Sequence, residues 1–290
     1  MGRHDLQFFA DFVMDGDKSW HPATHCISSM PLPLDYEFCA RTDVGRVRSN
    51  NEDSVAVSRD ARMVIVADGM GGYNAGEVAS VMVVQILNRE LRNRLVAAGA
   101  SADVALVRDM LTKSVDRANS AVYQAAKAHA HYAGMGTTLI VGLFGDHRVV
   151  IGHIGDSRAY LLRGGAFSRL TRDHTWLQEQ VDKGEMTPLE AQRSGMRSLL
   201  TRAVGVDPQV RLEVNEFPVE RGDLFLFCSD GLTDSIDDAE LAVLLRDPSP
   251  LPTLTERLVQ QANALGGRDN ISALLVRAGA TAPVDAGYPR

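Results

Sequence analysis

The sequence predicts an α+β fold with layered sheets, and two observations favour it over a doubly wound parallel sheet. Strand candidates come in blocks interrupted by paired helices, without regular alternation of strand and helix. The 290 residues are 45% hydrophobic, which suffices for one full core. We therefore expect one main domain at 35–278, an N-terminal extension at 1–34 and a polar C-terminal tail at 279–290.

The first half of the main domain predicts three strands followed by two helices. Short strand candidates at 35–42 and 53–58 flank a polar loop, and the apolar run at 61–69 is typical of a buried strand. Apolar residues at helical spacing then predict long helices at 76–96 and 101–131.

The second half begins with a block rich in strand formers at 136–171. GD, GDS and RGG turns divide this block, which predicts an antiparallel meander. The polar residues at 173–203 lack a dominant apolar face and predict a small irregular subdomain. The chain closes with a strand, two helices and a last strand, at 223–230, 237–246, 252–265 and 271–278.

Composition excludes several classes of function. A net charge of −7 argues against coating nucleic acid or an anionic membrane, because both require a basic surface. The three cysteines, Cys26, Cys39 and Cys228, are too few and too scattered for a disulfide framework. No apolar stretch is long enough for a membrane span, and no secretory signal is visible. We expect a soluble, cytoplasmic protein.

Three aspartates lie at the ends of apolar runs. Asp68 follows MVIVA and precedes GMGG, Asp230 follows LFLFCS, and Asp269 precedes the run ISALLV. Each one alone is explained equally well or better as a turn residue. Together they predict a shared site, because grouped carboxylates repel each other unless a cation lies between them. Ligands that are all oxygen favour a hard divalent cation such as Mg²⁺ or Mn²⁺.

Two further segments carry candidate residues. Asp156 lies between two strand candidates, where it is either a hairpin residue or an accessory cation ligand held by Ser157 and Arg158. The loop RVRSNNEDS at 46–54 is either solvated surface or a phosphate site. In the second case Arg48 would bind phosphate as a guanidinium fork, next to two acidic residues.

The histidines do not indicate a catalytic nucleophile. His153 falls inside a strand candidate, as expected for a core or sheet-face residue, and the pair Asp173-His174 is explained by helix capping. The sequence shows no Ser/His/Asp or Cys/His arrangement and no phosphate-binding GxxxxGK[ST] loop. We therefore expect any hydrolysis to depend on metal-activated water.

An ordered set of motifs resembles the bacterial form of the metal-dependent protein phosphatases of the PP2C (PPM) type. The resemblance covers about 36–277 and comprises RVRSNNEDS, VADGMGGYNAGEVAS, GMGTTLIV, IGHIGDSRAYLLR, LTRDHTW, LTRAVG, LFCSDGLTD and GGRDNISALLV. It implies two packed antiparallel sheets flanked by helix pairs, a four-layer αββα sandwich, with a flap subdomain at about 173–203.

The resemblance also implies a ligand for each cation. Asp68 would bridge two ions, and the carbonyl of Gly69 would bind the first. Asp230 and Asp269 would bind the second. Asp156, together with Asp230, would form a third position. Two Mn²⁺ or Mg²⁺ ions are thus implied in the core, with the third at Asp156.

Three more residues receive roles from the resemblance, and two positions depart from it. Arg48 matches the phosphate-binding arginine, while Glu52 and Asp53 match the acidic pair around the first metal. Met70 stands where many eukaryotic members have histidine, so metal-bound water would have to protonate the leaving group. The flap carries SGMRS at 194–198 in place of the usual His-Pro-x-Arg-Asn run.

The implied activity is hydrolysis of phosphoserine and phosphothreonine on proteins by a metal-bridging hydroxide. The implied partners are phosphoproteins made by a bacterial Ser/Thr kinase, and the kinase itself. Two alternatives stay open: a catalytically silent regulatory binding module that keeps the fold, and a metallohydrolase of small phosphoesters.

Overall fold

The computed structural model describes residues 34–72, 75–194 and 199–279. The predicted extension up to residue 33, most of the predicted tail and residues 195–198 of the flap lie outside the described residues. The extents of the extension, the main domain and the tail therefore stay predictions.

Two antiparallel sheets form the centre of the fold. From edge to edge, the first sheet consists of β1 (Tyr36–Asp43), β11 (Ile271–Ala278), β10 (Leu224–Cys228), β7 (Arg158–Arg163) and β8 (Ala166–Arg169). The second consists of β2 (Asp53–Ser58), β3 (Met63–Met70), β5 (Leu139–Phe144), β6 (Arg148–Ile154) and β9 (Glu213–Pro218), and β4 (Gly136–Thr137) pairs with the end of β3.

Helices cover the outer face of each sheet. The long pair α1 (Ala75–Ala98) and α2 (Val104–Ala128) packs on the second sheet, and α6 (Asp238–Leu245) and α7 (Leu251–Ala264) pack on the first. Shorter helices are the 3₁₀ turn Ala130–Tyr132, α3 (Trp176–Asp182), α4 (Pro188–Arg193) and α5 (Asp230–Thr233). The predicted sandwich of two sheets between helix pairs is confirmed.

Strand β10 shows why a continuous apolar run forms a strand here. Phe225 and Phe227 point between the sheets, while Leu224, Leu226 and Cys228 face the helices α6 and α7. Side chains alternate across a strand, so burial on both faces requires an unbroken apolar sequence. Cys228 is fully buried in this run.

The strand block at 136–171 differs from the predicted meander. Strands β5 and β6 belong to the second sheet, whereas β7 and β8 belong to the first. The chain crosses between sheets at the turn 155–157, where Gly155 has a φ of +99°, a conformation that favours glycine. Strand β9 was not predicted, because EVNEFP contains no apolar run.

The predicted irregular subdomain at 173–203 contains α3 and α4. Thr175 caps α3, and Thr187 forms a capping box with Glu190 at the start of α4. Among the described helices, none combines the length and the hydrophobicity required to cross a bilayer.

Candidate metal centre

Five carboxylates meet where the two sheets end. Asp68 on β3 lies opposite Asp53 on β2, and their carboxyl groups interact directly. Asp230, which follows β10 by two residues, shares a hydrogen bond with Asp68. Asp269 precedes β11 and acts electrostatically on Asp53 and Asp230, and Asp156 in the crossover turn acts on Asp68. The structure thus brings together five of the six predicted acids, and Glu52, the sixth, is near enough to feel the charge of Asp269.

Burial and crowding raise the pKa of Asp53, Asp68, Asp156 and Asp230. The pKa of Asp53 rises to about 6 and that of Asp156 to about 7, and those of Asp68 and Asp230 lie well above the usual range. Burial is the largest cause in each case, and a neighbouring carboxylate adds to it. In protein without metal, the cluster relieves its repulsion by holding protons. A divalent cation would relieve it by binding.

The donor set fits hard divalent cations. The cluster offers carboxylate oxygens, which Mg²⁺ and Mn²⁺ prefer as ligands, and the backbone carbonyl of Gly69 stays a predicted addition to them. Within the described residues, Asp53 Oδ1 is buried and has no hydrogen-bond partner, while Oδ2 accepts a hydrogen bond of 2.7 Å from Ser229. Such an unpaired oxygen is expensive unless a cation or a bound water lies next to it.

Gly69 lies where three segments pack closely. A Cβ atom on this residue would lie 2.1 Å from the carbonyl oxygen of Gly76 and 2.7 Å from that of Glu52. The Gly69 amide also donates to the Glu52 carbonyl at 3.1 Å. Only glycine allows this approach, which places the Gly69 backbone directly beside the loop that carries Glu52.

Arg48 reaches the cluster from the loop after β1. Its Nη2 donates to Asp269 Oδ2 at 2.8 Å, with 52% of the arginine side chain and 39% of the aspartate side chain exposed. The pairing of β1 with β11 in the register Asp43 to Ile271 explains why these distant residues meet. Exposed ion pairs contribute only about 0–1 kcal/mol, so this bond leaves Arg48 available for another anion.

The described hydrogen bonds of Ser157 and Arg158 do not go to Asp156 as predicted, but the charge of Arg158 does act on Asp156 and opposes the rise of its pKa. The hydroxyl of Ser157 bonds to that of Thr138 at 2.7 Å, and Arg158 forms a forked pair with Asp173, whose closest contact is 2.7 Å. Thr138 Oγ1 also accepts the amide of Asp68 at 3.0 Å. Ser157 therefore connects the crossover turn to β3 through Thr138.

Asn270 is a structural member of the site that the sequence analysis does not single out. Its amide Nδ2 donates to the carbonyls of Val44 at 2.9 Å and Asn50 at 2.8 Å, and its Oδ1 accepts the amide of Glu52 at 2.8 Å. These three bonds fix the loop of Arg48 and Glu52 against the turn of Asp269. No local sequence signal separates this role from an ordinary turn.

The raised pKa values predict how stability depends on pH. A carboxyl group whose pKa is higher in the folded than in the unfolded state destabilises the fold once the pH exceeds the unfolded value. Without metal, the melting temperature should therefore fall as the pH rises from 6.5 to 8. Mn²⁺ should raise it more at pH 8 than at pH 6.5.

Thermal melts with EDTA and with Mn²⁺ across this range measure the effect. The lowered pKa of Asp247, about 2, acts well below this range. The lowered pKa of His174, about 4, makes stability rise with pH up to about its unfolded value of 6.5, so its effect opposes the predicted fall only at the lower edge of the range. A melting temperature that stays constant or rises from pH 6.5 to 8 in EDTA would contradict the raised pKa values of the clustered carboxyl groups.

Comparison with known proteins gives the same family as the motifs. Residues 45–275 match the family model described as protein phosphatase 2C. The serine/threonine phosphatase stp of Listeria innocua is 36% identical over 239 residues, which is 81% of this chain and 93% of that protein. The protein phosphatase PhpP of Streptococcus pneumoniae is 37% identical over 243 residues, 83% of this chain and 96% of its own.

A solved structure extends the comparison to the fold. The catalytic domain of the phosphatase PstP, crystallised in complex with two manganese ions, has a TM-score of 0.74 and 36% identity. The likeness covers 84% of this chain and 99% of that one. The chain belongs to the protein phosphatase 2C family.

Proposed function

We propose that this protein is a metal-dependent phosphatase that hydrolyses phosphoserine and phosphothreonine on proteins. The convergence of five carboxylates and an arginine at one end of the sandwich is the observation that carries the proposal. Family membership and relatives named as serine/threonine phosphatases support it.

Each residue of the cluster has a role in this proposal. Asp68 and the Gly69 carbonyl would hold the first cation, Asp68 would bridge to the second, and Asp230 and Asp269 would complete the second. Asp156 with Asp230 would hold a third. Two manganese ions in the related PstP structure support the core pair, and the third position rests on the raised pKa and burial of Asp156.

Glu52 and Asp53 would orient the outer shell of the first cation. Asp53 is buried and fixed by Ser229, and Glu52 is fixed by the bond between its backbone and Asn270. Both groups have raised pKa values, mainly through burial, so a nearby cation would favour their charged forms.

The chain's own groups position the substrate and neutralise its charge. When bound, the cations supply activated water and charge neutralisation for the phosphoryl group. Arg48 exchanges its weak bond with Asp269 for two parallel bonds to phosphate oxygens. Phosphoryl transfer requires mainly positioning and electrostatics, which a fixed loop and a rigid sheet end provide.

The substrates we propose are phosphoproteins made by a bacterial Ser/Thr kinase, and the kinase itself. We place this activity in the cytoplasm, since Cys39 and Cys228 are free thiols. The catalytic domain is proposed to span 35–278, with 173–203 as the flap.

Phosphate release from a phosphothreonine peptide tests the function. We expect turnover with Mn²⁺ and with Mg²⁺ and none with chelator, and a higher kcat/KM for the peptide than for a small aryl phosphate. A preference for the aryl phosphate would favour a small-phosphoester hydrolase instead. Binding of the phosphopeptide without turnover in either metal would favour a silent regulatory module.

A further inference from the structure

A second group of titratable side chains lies outside the acidic cluster. His153 on β6, His174 before α3 and Glu213 at the start of β9 place ligand-type atoms within 4.8 Å of one another. The histidines are 1% and 6% exposed. The predicted capping role of the pair Asp173-His174 is wrong, because Thr175 caps α3.

His174 is joined to the crossover turn by two hydrogen bonds. Its backbone amide donates to the carbonyl of Gly155 at 2.9 Å, and the amide of Gly155 donates to His174 Nδ1 at 3.1 Å. Asp156, the proposed ligand of the third cation, is the next residue along the chain. The ring of His174 therefore fixes the backbone from which Asp156 projects.

The same residue is joined to the base of the flap. The amide of Thr201 donates to the His174 carbonyl at 2.8 Å, and the neighbouring Trp176 amide donates to the Leu199 carbonyl at 2.9 Å. These bonds pair the segment that leaves the sandwich with the segment that returns to it. We call these two paired segments, 174–176 and 199–201, the flap base, and His174 thus joins it to the turn of Asp156.

Hydrogen bonding determines which ring nitrogen carries the proton. Because His174 Nδ1 accepts from Gly155, its proton is on Nε2, which faces Glu213 Oε2 at 3.2 Å. His153 Nε2 faces the carbonyl of Arg172 at 2.9 Å and carries its proton there. Burial, followed by the His153 ring, lowers the pKa of His174 to about 4, so the ring is neutral at physiological pH.

The orientation of the rings argues against a fourth cation at this place. The imidazoles of His153 and His174 stack with centroids 4.6 Å apart and an interplanar angle of 9°. A metal ion binds an imidazole in the plane of its ring, so two stacked parallel rings cannot share one ion without rotating. The arrangement instead holds a neutral ring in one tautomer.

We propose that His174 is a positioning residue that joins the flap base to the turn of Asp156, with Glu213 setting its tautomer. The inference rests on the proposed function, in which Asp156 binds the third cation. Loss of the Nδ1 acceptor frees the turn and weakens that cation alone. The cations at Asp68, Asp230 and Asp269 keep their ligands.

Two substitutions of His174 separate this role from general stability. In His174→Asn an amide oxygen takes the place of Nδ1 and can accept from Gly155, whereas His174→Gln offers its polar atoms only near Nε2. Isothermal titration and electron paramagnetic resonance with Mn²⁺ count the ions and rank their affinities. We expect His174→Gln to weaken the weakest Mn²⁺ site at least tenfold, and His174→Asn to retain it.

Glu213 provides a second test on a half-exposed side chain. Arg202 Nη1 lies 3.2 Å from His174 Nε2, so without Glu213 it can donate there and move the ring proton to Nδ1. That tautomer cannot accept from Gly155. Glu213→Ala should therefore also weaken the third site, while Glu213→Gln, which retains an acceptor, should not.

The outcomes distinguish this inference from the proposed function. Equal Mn²⁺ binding by wild type, His174→Gln and Glu213→Ala would overturn the positioning role while leaving the phosphatase intact. Equally weakened binding of every ion, together with a lower melting temperature, would also overturn it, because a role of His174 in general stability predicts that pattern. A wild type that binds two ions would remove the third position itself, and one that binds none would overturn the proposed function.

Discussion

Asp68→Asn is expected to lower kcat/KM for a phosphothreonine peptide by on the order of 10³-fold or more. Asp68 occupies the centre of the cluster and contacts both Asp53 and Asp230. Asparagine has the same shape but lacks the charge that bridging two cations requires. The backbone bonds of Asp68 to Thr137 and Thr138 are unaffected by the change.

The same substitution should stabilise the protein in chelator. Removing one of several crowded carboxylates relieves repulsion, so the melting temperature in EDTA should rise at pH 8 and should respond less to Mn²⁺. The matched control is Asp60→Asn, which removes a half-exposed carboxylate paired with Arg92. Activity within a few fold of wild type in folded Asp68→Asn protein would refute the metal mechanism.

The second large effect is expected for Arg48→Ala, which should lower kcat/KM by about 10- to 160-fold. This range corresponds to about 1.5–3 kcal/mol for a hydrogen bond to a charged group. The substitution also removes the ion pair between Arg48 and Asp269, a predicted metal ligand. Because this pair is half exposed, it contributes at most about 1 kcal/mol, so metal affinity should change no more than about fivefold.

Arg46→Ala is the control for Arg48, because it makes the same charge change in the same loop. Its activity should remain within about twofold of wild type, since its side chain is not assigned to phosphate. Inhibition by inorganic phosphate gives a second measurement and should weaken only in Arg48→Ala. A defect that excess Mn²⁺ fully restores would show that Arg48 serves the metal instead.

The principal ligands could be predicted because their signals are local. An apolar run that ends in Asp-Gly indicates a buried strand and the position where the strand ends. Asp68 and Asp230 both follow such runs. The final strand likewise indicated where Asp269 would lie. Sequence alone placed these residues at strand ends, and the two packed sheets placed the ends together.

The features that could not be predicted depend on distant partners. Whether β7 continues the sheet of β6 or crosses to the other sheet depends on β10, which lies far along the chain. Strand β9 is half-exposed and forms through its pairing with β6 rather than through its own composition. The roles of Asn270 and His174 likewise consist of bonds to residues remote in sequence, so the hydrophobic periodicity of the sequence gives no indication of these roles.

The pairing of β1 with β11 has a consequence for the order of events during synthesis. Of the described strands, β1 is synthesised first but forms its ladder with β11, which is synthesised last, from Tyr36 opposite Ala278 to Asp43 opposite Ile271. Such distant contacts form slowly because a long loop must close first. A nascent chain therefore displays Arg48 and Asp68 long before Asp269 arrives, and the growing polypeptide stays catalytically inert until translation of the domain is complete.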